Sequence, residues 1–555
     1  MGLWETYGQD ILLKVEATTE KDTEILNFVG SLKTFKDFES LKKEVFRIQK
    51  QIYNKGYIDI KFLSLVDNGL DYTAKFDLGP MYKSILIFGH SQIFESLGFN
   101  SQKDIKSKET YVEVPIPSLE KTLKQISKSL SSSGYSFATV QLKNINPKNN
   151  NQITADIIIE KGFERSLHEV KILGYKKFPK GFIKHFLKIK TQETFDIESI
   201  RSKMNLLDEL SFVEQKRSAE VLFLKDTTSV YLYLKKLKSN RFDGFLGFGS
   251  NETTNEIEFD GYLNLNLVNN LNFGESLNLN YKSDEIDQKT INISFLMPYL
   301  FKTPLGSTIN INIFKKDSTF TTAQQSIDLH YNLNQNNRLG IGIQAEQSNV
   351  INNTLNSLVE DYKSEFYEIH YNYKKRQKLD ELNPIKTQLD ISLALGSRKS
   401  NKTIKQRKIS LRGSKIFNLN SKSSIFLNLH IEELKSDKYI INELLRFGGI
   451  TSIRGFQENS LFATRMGIIC TEYRYRLSPD LFINSVIDSG SFQNINNEYN
   501  QIYGFGFGFG LLTKSGILRM TYANGKTRNS TFDFSNSKLH LSFTNIFWTN
   551  LQLKK

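Results

Sequence analysis

The chain has one cysteine, Cys470, in 555 residues. No intramolecular disulfide can form, and a lone thiol with 7 histidines argues against a structural zinc site. Long hydrophobic runs are missing too. With 39% hydrophobic residues, no stretch approaches the roughly 18–20 unbroken apolar residues of a membrane-crossing helix. That argues against a helical membrane protein and leaves a barrel open, because a barrel strand needs apolar residues only at alternate positions. A concentrated basic segment is also missing. Net charge is +14, but basic residues outnumber acidic ones by 37 to 30 in residues 1–240 and by 36 to 29 in residues 241–555. An excess spread so evenly is ordinary surface charge, so no nucleic-acid partner is expected. The N-terminus, Met1-Gly2-Leu3-Trp4-Glu5-Thr6-Tyr7, lacks the basic and apolar regions of a signal peptide. The barrel-like patterning after residue 240 favours a mature chain without its signal.

Enzyme signatures are absent as well. No Ser, His and Asp set lies in a nucleophile-elbow context. The run Gly504-Phe505-Gly506-Phe507-Gly508-Phe509-Gly510 lacks the Lys-Ser/Thr and the helix of a phosphate loop. No catalytic residue, metal or cofactor is expected.

What is present is a repeat. Lys55-Gly56-Tyr57 follows a helix-like stretch, as does Ser133-Gly134-Tyr135, and Phe212 follows a third. The spacings are 78 and 77 residues, so one module is read three times. Steps of three and four mark a helix face in each: Phe38, Leu41, Val45, Ile48 and Ile52, then Leu119, Leu123, Ile126 and Leu130, then Ile197, Ile200, Met204 and Leu207. Leading strands are expected at 11–17, 83–89 and 169–174. Strand pairs are expected at 58–66 and 69–78, at 137–142 and 152–160, and at 219–224 and 229–237. The order strand–helix–helix–strand–strand implies a small sheet with helices on one face.

After residue 240 the helical period ends. Alternating segments separated by polar breaks number about sixteen, the even count of a bacterial barrel. They lie near 241–252, 257–269, 275–284, 289–299, 307–316, 323–333, 337–348, 363–376, 385–398, 403–417, 423–434, 462–478, 481–493, 501–514, 516–526 and 537–547. The longest gaps, 349–362, 435–461 and 527–536, then fall on the side away from the modules. The near-side gap Ser478-Pro479-Asp480 is tight. Gap 377–384 is the exception, being long on the near side. Two soluble β-sandwiches would explain the strands but not this ordering. The expected domains are an N-terminal segment 1–10, modules 11–79, 80–162 and 163–240, a transmembrane barrel 241–547 and an extension 548–555.

The chemistry concentrates late in the chain. Ile453-Arg454-Gly455-Phe456 sits in the long gap 435–461. With Pro479 near the turn centre, Glu472 is expected opposite Asp488 on the lumen face, sharing that face with Arg474, Arg476 and Asn484. Opposed carboxylates repel and invite a cation. Arg454 can bridge them with charge-assisted bonds, although Arg474 and Arg476 could satisfy the acids instead. Gly504, Gly506, Gly508 and Gly510 form one face of a strand. They are expected to leave lumen space for an inserted loop.

These motifs carry a family resemblance. Gly448-Gly449-Ile450-Thr451-Ser452-Ile453-Arg454-Gly455-Phe456 resembles the sixth-loop motif of the BamA/TamA superfamily of outer-membrane assembly and translocation barrels. Glu472-Tyr473-Arg474 and Ile487-Asp488-Ser489-Gly490 resemble the acidic motifs of its next two strands. Gly508–Arg519 resembles its late-barrel signature, and the three modules resemble POTRA domains. Three copies look more like TamA than BamA, which usually carries five. Two-partner transporters usually carry two. The resemblance implies three POTRA-like β-α-α-β-β modules followed by a 16-stranded antiparallel transmembrane β-barrel.

It further implies a Gram-negative outer-membrane location with periplasmic modules. Unfolded or nascent outer-membrane or secreted polypeptides are the expected partners, with the lipid bilayer and accessory subunits. The implied activity is assembly, insertion or translocation. A dedicated transporter for one partner or a passive pore is the alternative. A weak seam is expected between strands carrying Phe242 and Gly244 and strands carrying Leu541 and Phe543. Family members tend to end at an aromatic residue. Phe547 fits that place, but Trp548–Lys555 continue past it.

Overall fold

The computed structural model describes residues 11–30, 33–69, 71–103, 109–149, 151–250, 257–283, 288–352, 358–377, 380, 382–528 and 537–547. The N-terminal segment 1–10 and the extension 548–555 lie outside them.

In the first module Ile11–Ala17 pairs in parallel with Asp71–Asp77 at the centre of a sheet ordered Lys33–Phe35, Ile11–Ala17, Asp71–Asp77, Lys61–Asp67. Two helices, Glu20–Val29 and Phe38–Asn54, cover it. Asp37 starts the second by accepting from Ser40 N at 2.7 Å, which satisfies one of the free N–H groups of the first turn. Leu41, Val45, Ile48 and Ile52 point into a core with Leu13, Val15 and Phe76. Phe38, expected on that face, is instead largely exposed at the helix start, its ring 5.3 Å from Tyr72. Gly56 ends the helix with φ +113° and Gly134 does the same in the second module with φ +90°. The repeated Gly-Tyr is therefore a helix stop, requiring a backbone that glycine adopts without strain.

The second module keeps the plan around Ser84–Phe88, Ile116–Ser132, Thr139–Asn149 and Gln152–Glu160. It adds the short strands Ser101–Lys103 and Thr110–Pro115. Ser101–Lys103, like Lys33–Phe35, is too short to show a period in the sequence, whereas Thr110–Pro115 alternates, with Val112 and Val114 buried. The third copy departs most. Its first helix shrinks to a π-helical turn, Phe182–Phe186, and its second, Ile197–Met204, runs on into a 3₁₀ turn. The chain forms two compact units, and the boundary runs through this copy. Residues up to Glu169 group with Thr191–Ser199 and Phe223–Ser229. Val170–Lys190 and Ile200–Leu222 group with Val230–Lys555.

Sixteen antiparallel strands close into a barrel: Asn240–Ser250, Ile257–Val268, Ser276–Ser283, Gln288–Met297, Leu305–Lys316, Phe320–Asn332, Asn337–Val350, Tyr362–Arg376, Ile385–Lys399, Thr403–Asn418, Ser423–Ser436, Arg465–Ser478, Leu481–Gln493, Tyr499–Thr513, Gly516–Thr527 and Ser537–Phe547. Their outward positions are apolar and bare. Ile341 is 63% exposed and Tyr367 68%, while Gln344 and Ser364 on the same strands face inward and are buried. A continuous apolar band of this kind is a lipid-facing surface.

The inner turns rest on the third copy's residues. The Tyr175 hydroxyl accepts from Asn269 Nδ2 at 2.7 Å, the Phe182 ring lies 4.9 Å from Tyr299, and Gln335 Nε2 donates to Phe186 O at 2.8 Å. The tight turns thus lie on the third copy's side of the barrel, and the long loops lie on the other. Parts of two long loops, 353–357 and 529–536, lie outside the described residues.

The barrel is not equally closed all round. Among the described residues its first and last strands share three paired positions, Asn240–Phe547, Arg241–Ile546 and Phe242–Asn545. Other neighbours share from 8, as in strands two and three, to 14, as in strands eight and nine.

The first module offers a test of its own stability. Glu44 accepts from Arg47 Nε at 2.6 Å and from Lys33 Nζ at 2.9 Å. The Arg47 bonds lead in holding its carboxyl down to about 2, against 4.5 for an ordinary glutamate. A lowered folded-state value stabilises above the unfolded value and is lost as pH falls through the folded one. Both partners are solvent-exposed, so Glu44→Gln should cost about 1 kcal/mol at pH 7. That gap should narrow as pH drops below about 4.5 toward 2. Urea unfolding of a fragment covering residues 11–79, whose core is its own, measures it.

Candidate functional site: a loop tied inside the barrel

The eleventh and twelfth barrel strands are joined by the long loop between Ser436 and Arg465. Its neck is a small hairpin, Leu445–Phe447 paired with Leu461–Ala463. Gly448 and Gly449, at φ +112° and +91°, turn the chain back, and Gly448 N donates to Ser452 Oγ at 2.8 Å. Ile453 is fully buried among Phe447, Met466, Ile468, Cys470 and Ile502. That apolar seat fixes the next residue.

Arg454 reaches both acids. Its backbone N donates to Asp488 Oδ2 at 3.0 Å, Nε to the same oxygen at 2.8 Å and Nη2 to Oδ1 at 2.5 Å. Nη1 donates to Glu472 Oε1. The other oxygen of Glu472 accepts from Arg474 Nε at 2.7 Å. Asp488 is 0% exposed and Arg454 6%. Two carboxylates and two guanidiniums therefore make a neutral, mutually bonded cluster. Arg476 takes no part and pairs with Asp380 at 2.5 Å.

The strand register differs from the expected one. Asp488 stands opposite Cys470, not Glu472. The turn occupies only Pro479-Asp480, with Ser478 paired to Leu481, and a bulge follows between Arg476 and Ser478. Pairing is thus displaced by two residues, which leaves every side chain on its expected face. The acids become diagonal neighbours, about 7–8 Å apart at the backbone. That separation suits a guanidinium with one edge on each. Cys470 sits on the same face and its Sγ lies 2.8 Å from Ser452 O.

Of the four lumen glycines, Gly504 lies against the loop. A Cβ there would collide with Arg454 O. Gly506 and Gly508 face the carbonyls of Tyr522 and Met520 on the next strand, and Gly510 makes room for the Phe482 ring. A Cβ on Gly455 would collide with Gly525 N, and one on Gly525 would sit 2.8 Å from Phe456 Cε2. Gly525 was not singled out in the sequence. It is a single glycine in a strand, which marks close backbone approach only weakly.

A second feature was visible only as an irregularity. The long near-side gap 377–384 brings Leu382 into the lumen, buried against Phe482 and Ile517. Arg474 Nη1 donates to Asn383 Oδ1 at 2.7 Å, and Arg519 donates to Leu382 O. Arg474 therefore touches both the inner turn and the outer loop's anchor. Seam residues Phe242, Leu541 and Phe543 point outward and are exposed. A Cβ on Gly244 would sit 2.8 Å from Tyr262 O on the next strand. Among the described residues no group of three or more His, Cys, Asp or Glu side chains could hold a metal ion.

Solved structures share this fold. CdiB from Escherichia coli superimposes with a TM-score of 0.52 at 12% identity, over 92% of this chain and 97% of that one. CdiB from Acinetobacter baumannii gives 0.49 at 15% identity, with 92% and 97% covered. BamA from Haemophilus ducreyi lacking POTRA domains 1–3 gives 0.48 at 16%, with 77% and 92% covered. No family model matches the sequence, and no curated protein does. The chain shares the fold of E. coli CdiB, a 16-stranded barrel behind N-terminal α/β modules.

Removing Arg454 leaves Asp488 without its cation and Glu472 with Arg474 alone, at a cost of about 3–5 kcal/mol for a buried pair. Arg454→Ala should free the loop, read as new protease cuts within residues 437–464 of an otherwise folded barrel. Gly504→Ala should do the same by crowding, with every charge retained. The double variant should be no worse than the worse single one, because both break one contact. An uncut loop in both single variants would show that it is held elsewhere.

Proposed function

We propose that the protein is an outer-membrane machine of the BamA/TamA type. It receives polypeptide on periplasmic modules and inserts it into the membrane or passes it across. The observation that carries this reading is the seam. Backbone groups in lipid must be paired within the barrel, so a wall held at one place by three pairs is suited to opening. A passive pore gains nothing from such a seam. The tied loop supports the reading, since its tip at Gly455 backs onto the strand Gly516–Thr527, one strand from the seam. Three N-terminal copies accord with TamA-like members. A second reading is a dedicated transporter for one secreted partner. It is favoured by the cavity of about 1100 Å³ that remains in the lumen beside the loop.

Depleting the protein and comparing the outer-membrane proteome separates these. Broad loss of barrels supports assembly, loss of one secreted protein supports the dedicated transporter, and altered solute uptake alone refutes both. A direct test uses Phe242 and Asn545, which stand opposite each other across the seam. In a Cys470→Ser background, Phe242→Cys with Asn545→Cys should form a disulfide on oxidation. Function should stop and return with a reductant. Full activity with the bond quantitatively formed would mean that seam opening is not required.

A further inference from the structure

A cluster of cations lines the inner end of the lumen cavity. Arg241 lies near the inner end of the first strand, Arg338 near that of the seventh, and Lys374 and Arg376 at that of the eighth. All four line the cavity. Lys374 lies within electrostatic reach of Arg376, Arg338 and Arg241, and Arg376 of Arg241. The carboxylates that answer them are Asp390 and Glu209. Both are already engaged. Asp390 accepts from Asn372 Nδ2 at 2.8 Å and Gln388 Nε2 at 2.7 Å, and Glu209 accepts from Arg376 N at 2.8 Å. No described carboxylate forms a direct ion pair with the side chain of Arg338, Lys374 or Arg376. The cavity as a whole carries both signs of charge, but at this end cations without a direct partner among the described carboxylates gather, and such a cluster attracts an acidic group that comes close.

We propose that this cluster binds acidic stretches of an extended polypeptide inside the barrel. The proposal rests on the reading that polypeptide enters the lumen, and it names the chemistry recognised there. Two features select a peptide over a lipid headgroup. Lys374 and Arg376 are alternate residues of one strand, about 6.8 Å apart, the spacing of alternate side chains in an extended chain. Arg338 widens the row from the neighbouring strand, where it pairs with Asn372. The rest of the cavity lining mixes amides and hydroxyls such as Ser294, Asn310, Asn312 and Gln324 with further charged groups, among them Glu346 paired to Lys408 and Glu432 paired to Arg412. The amides and hydroxyls exchange hydrogen bonds with a peptide backbone but offer acyl chains little apolar surface.

The probe is a fluorescein-labelled peptide of alternating Glu and Ser, titrated by anisotropy against the full-length protein in detergent. It should bind, and salt should weaken it. Lys374→Gln with Arg376→Gln should weaken binding about tenfold, a loss of 1.4 kcal/mol. Asp390→Asn should tighten it. Lys374→Gln alone, at an exposed side chain without an ion pair, covers the case of a double variant that does not fold, and should still weaken binding. Equal binding of a Gln-Ser peptide, no change in either lysine variant, or displacement by inorganic phosphate at matched charge would overturn the proposal. The assay needs neither insertion nor export. Peptide binding with no client lost on depletion would remove the functional reading and keep the patch, and the converse would remove the patch alone.

Discussion

The barrel's architecture turns on Arg454. A guanidinium drawn into the lumen loses its water and must recover that cost from its new partners. It recovers it from a carboxylate on each of two adjacent strands and, through its own backbone N–H, from a second bond to Asp488. Asp488 is fully buried and receives three hydrogen bonds from Arg454. Each side therefore depends on the other. The loop is held by the strands, and the buried Asp488 takes its cation from the inserted loop. Arg474 completes the neutrality of the cluster, which explains why two arginines accompany two acids.

The same contact dictates glycine at particular places. Backbone against backbone leaves no room for a Cβ, so Gly504 accepts Arg454 O while Gly455 and Gly525 accept each other. The barrel wall is thinned where the loop leans on it, over strands fourteen and fifteen. The seam lies just beyond. With only three pairs, it is stabilised less by its own ladder than the rest of the wall, and the buried loop packs against the strands that lead to it.

Much of this was legible in the sequence because it rests on period. The sixteen strands announce themselves by alternation and the module helices by steps of three and four. The repeated Gly-Tyr marks a helix stop. What escaped was whatever has no period. The three-residue strands beside the first two modules are too short, and the π-turn of Phe182–Phe186 replaces a helix without changing its apolar content. The register near Pro479 depended on a bulge, which adds a residue to one strand without altering composition. Because the error was two residues, the faces stayed right and the partners went wrong. Gly525 was missed because one glycine in a strand looks like any other.

The inner gap 377–384 shows how an exception to a rule can carry information. Short turns belong on the module side because nothing there needs length. This turn is long because it enters the lumen. Leu382 buries itself against Phe482, and Asp380, Asn383 and the carbonyl of Leu382 take up Arg476, Arg474 and Arg519. Those arginines would otherwise add to a cationic inner mouth already holding Arg241, Arg338, Lys374 and Arg376. The turn takes up the arginines on its own side of that mouth, while Arg338, Lys374 and Arg376 form no direct ion pair with a described carboxylate. Arg338, Lys374 and Arg376 lie on strands seven and eight, away from strands twelve to fifteen on which the loop is anchored. The lumen thus holds its own loop on strands twelve to fifteen, and the proposed peptide-binding cluster lies on different strands.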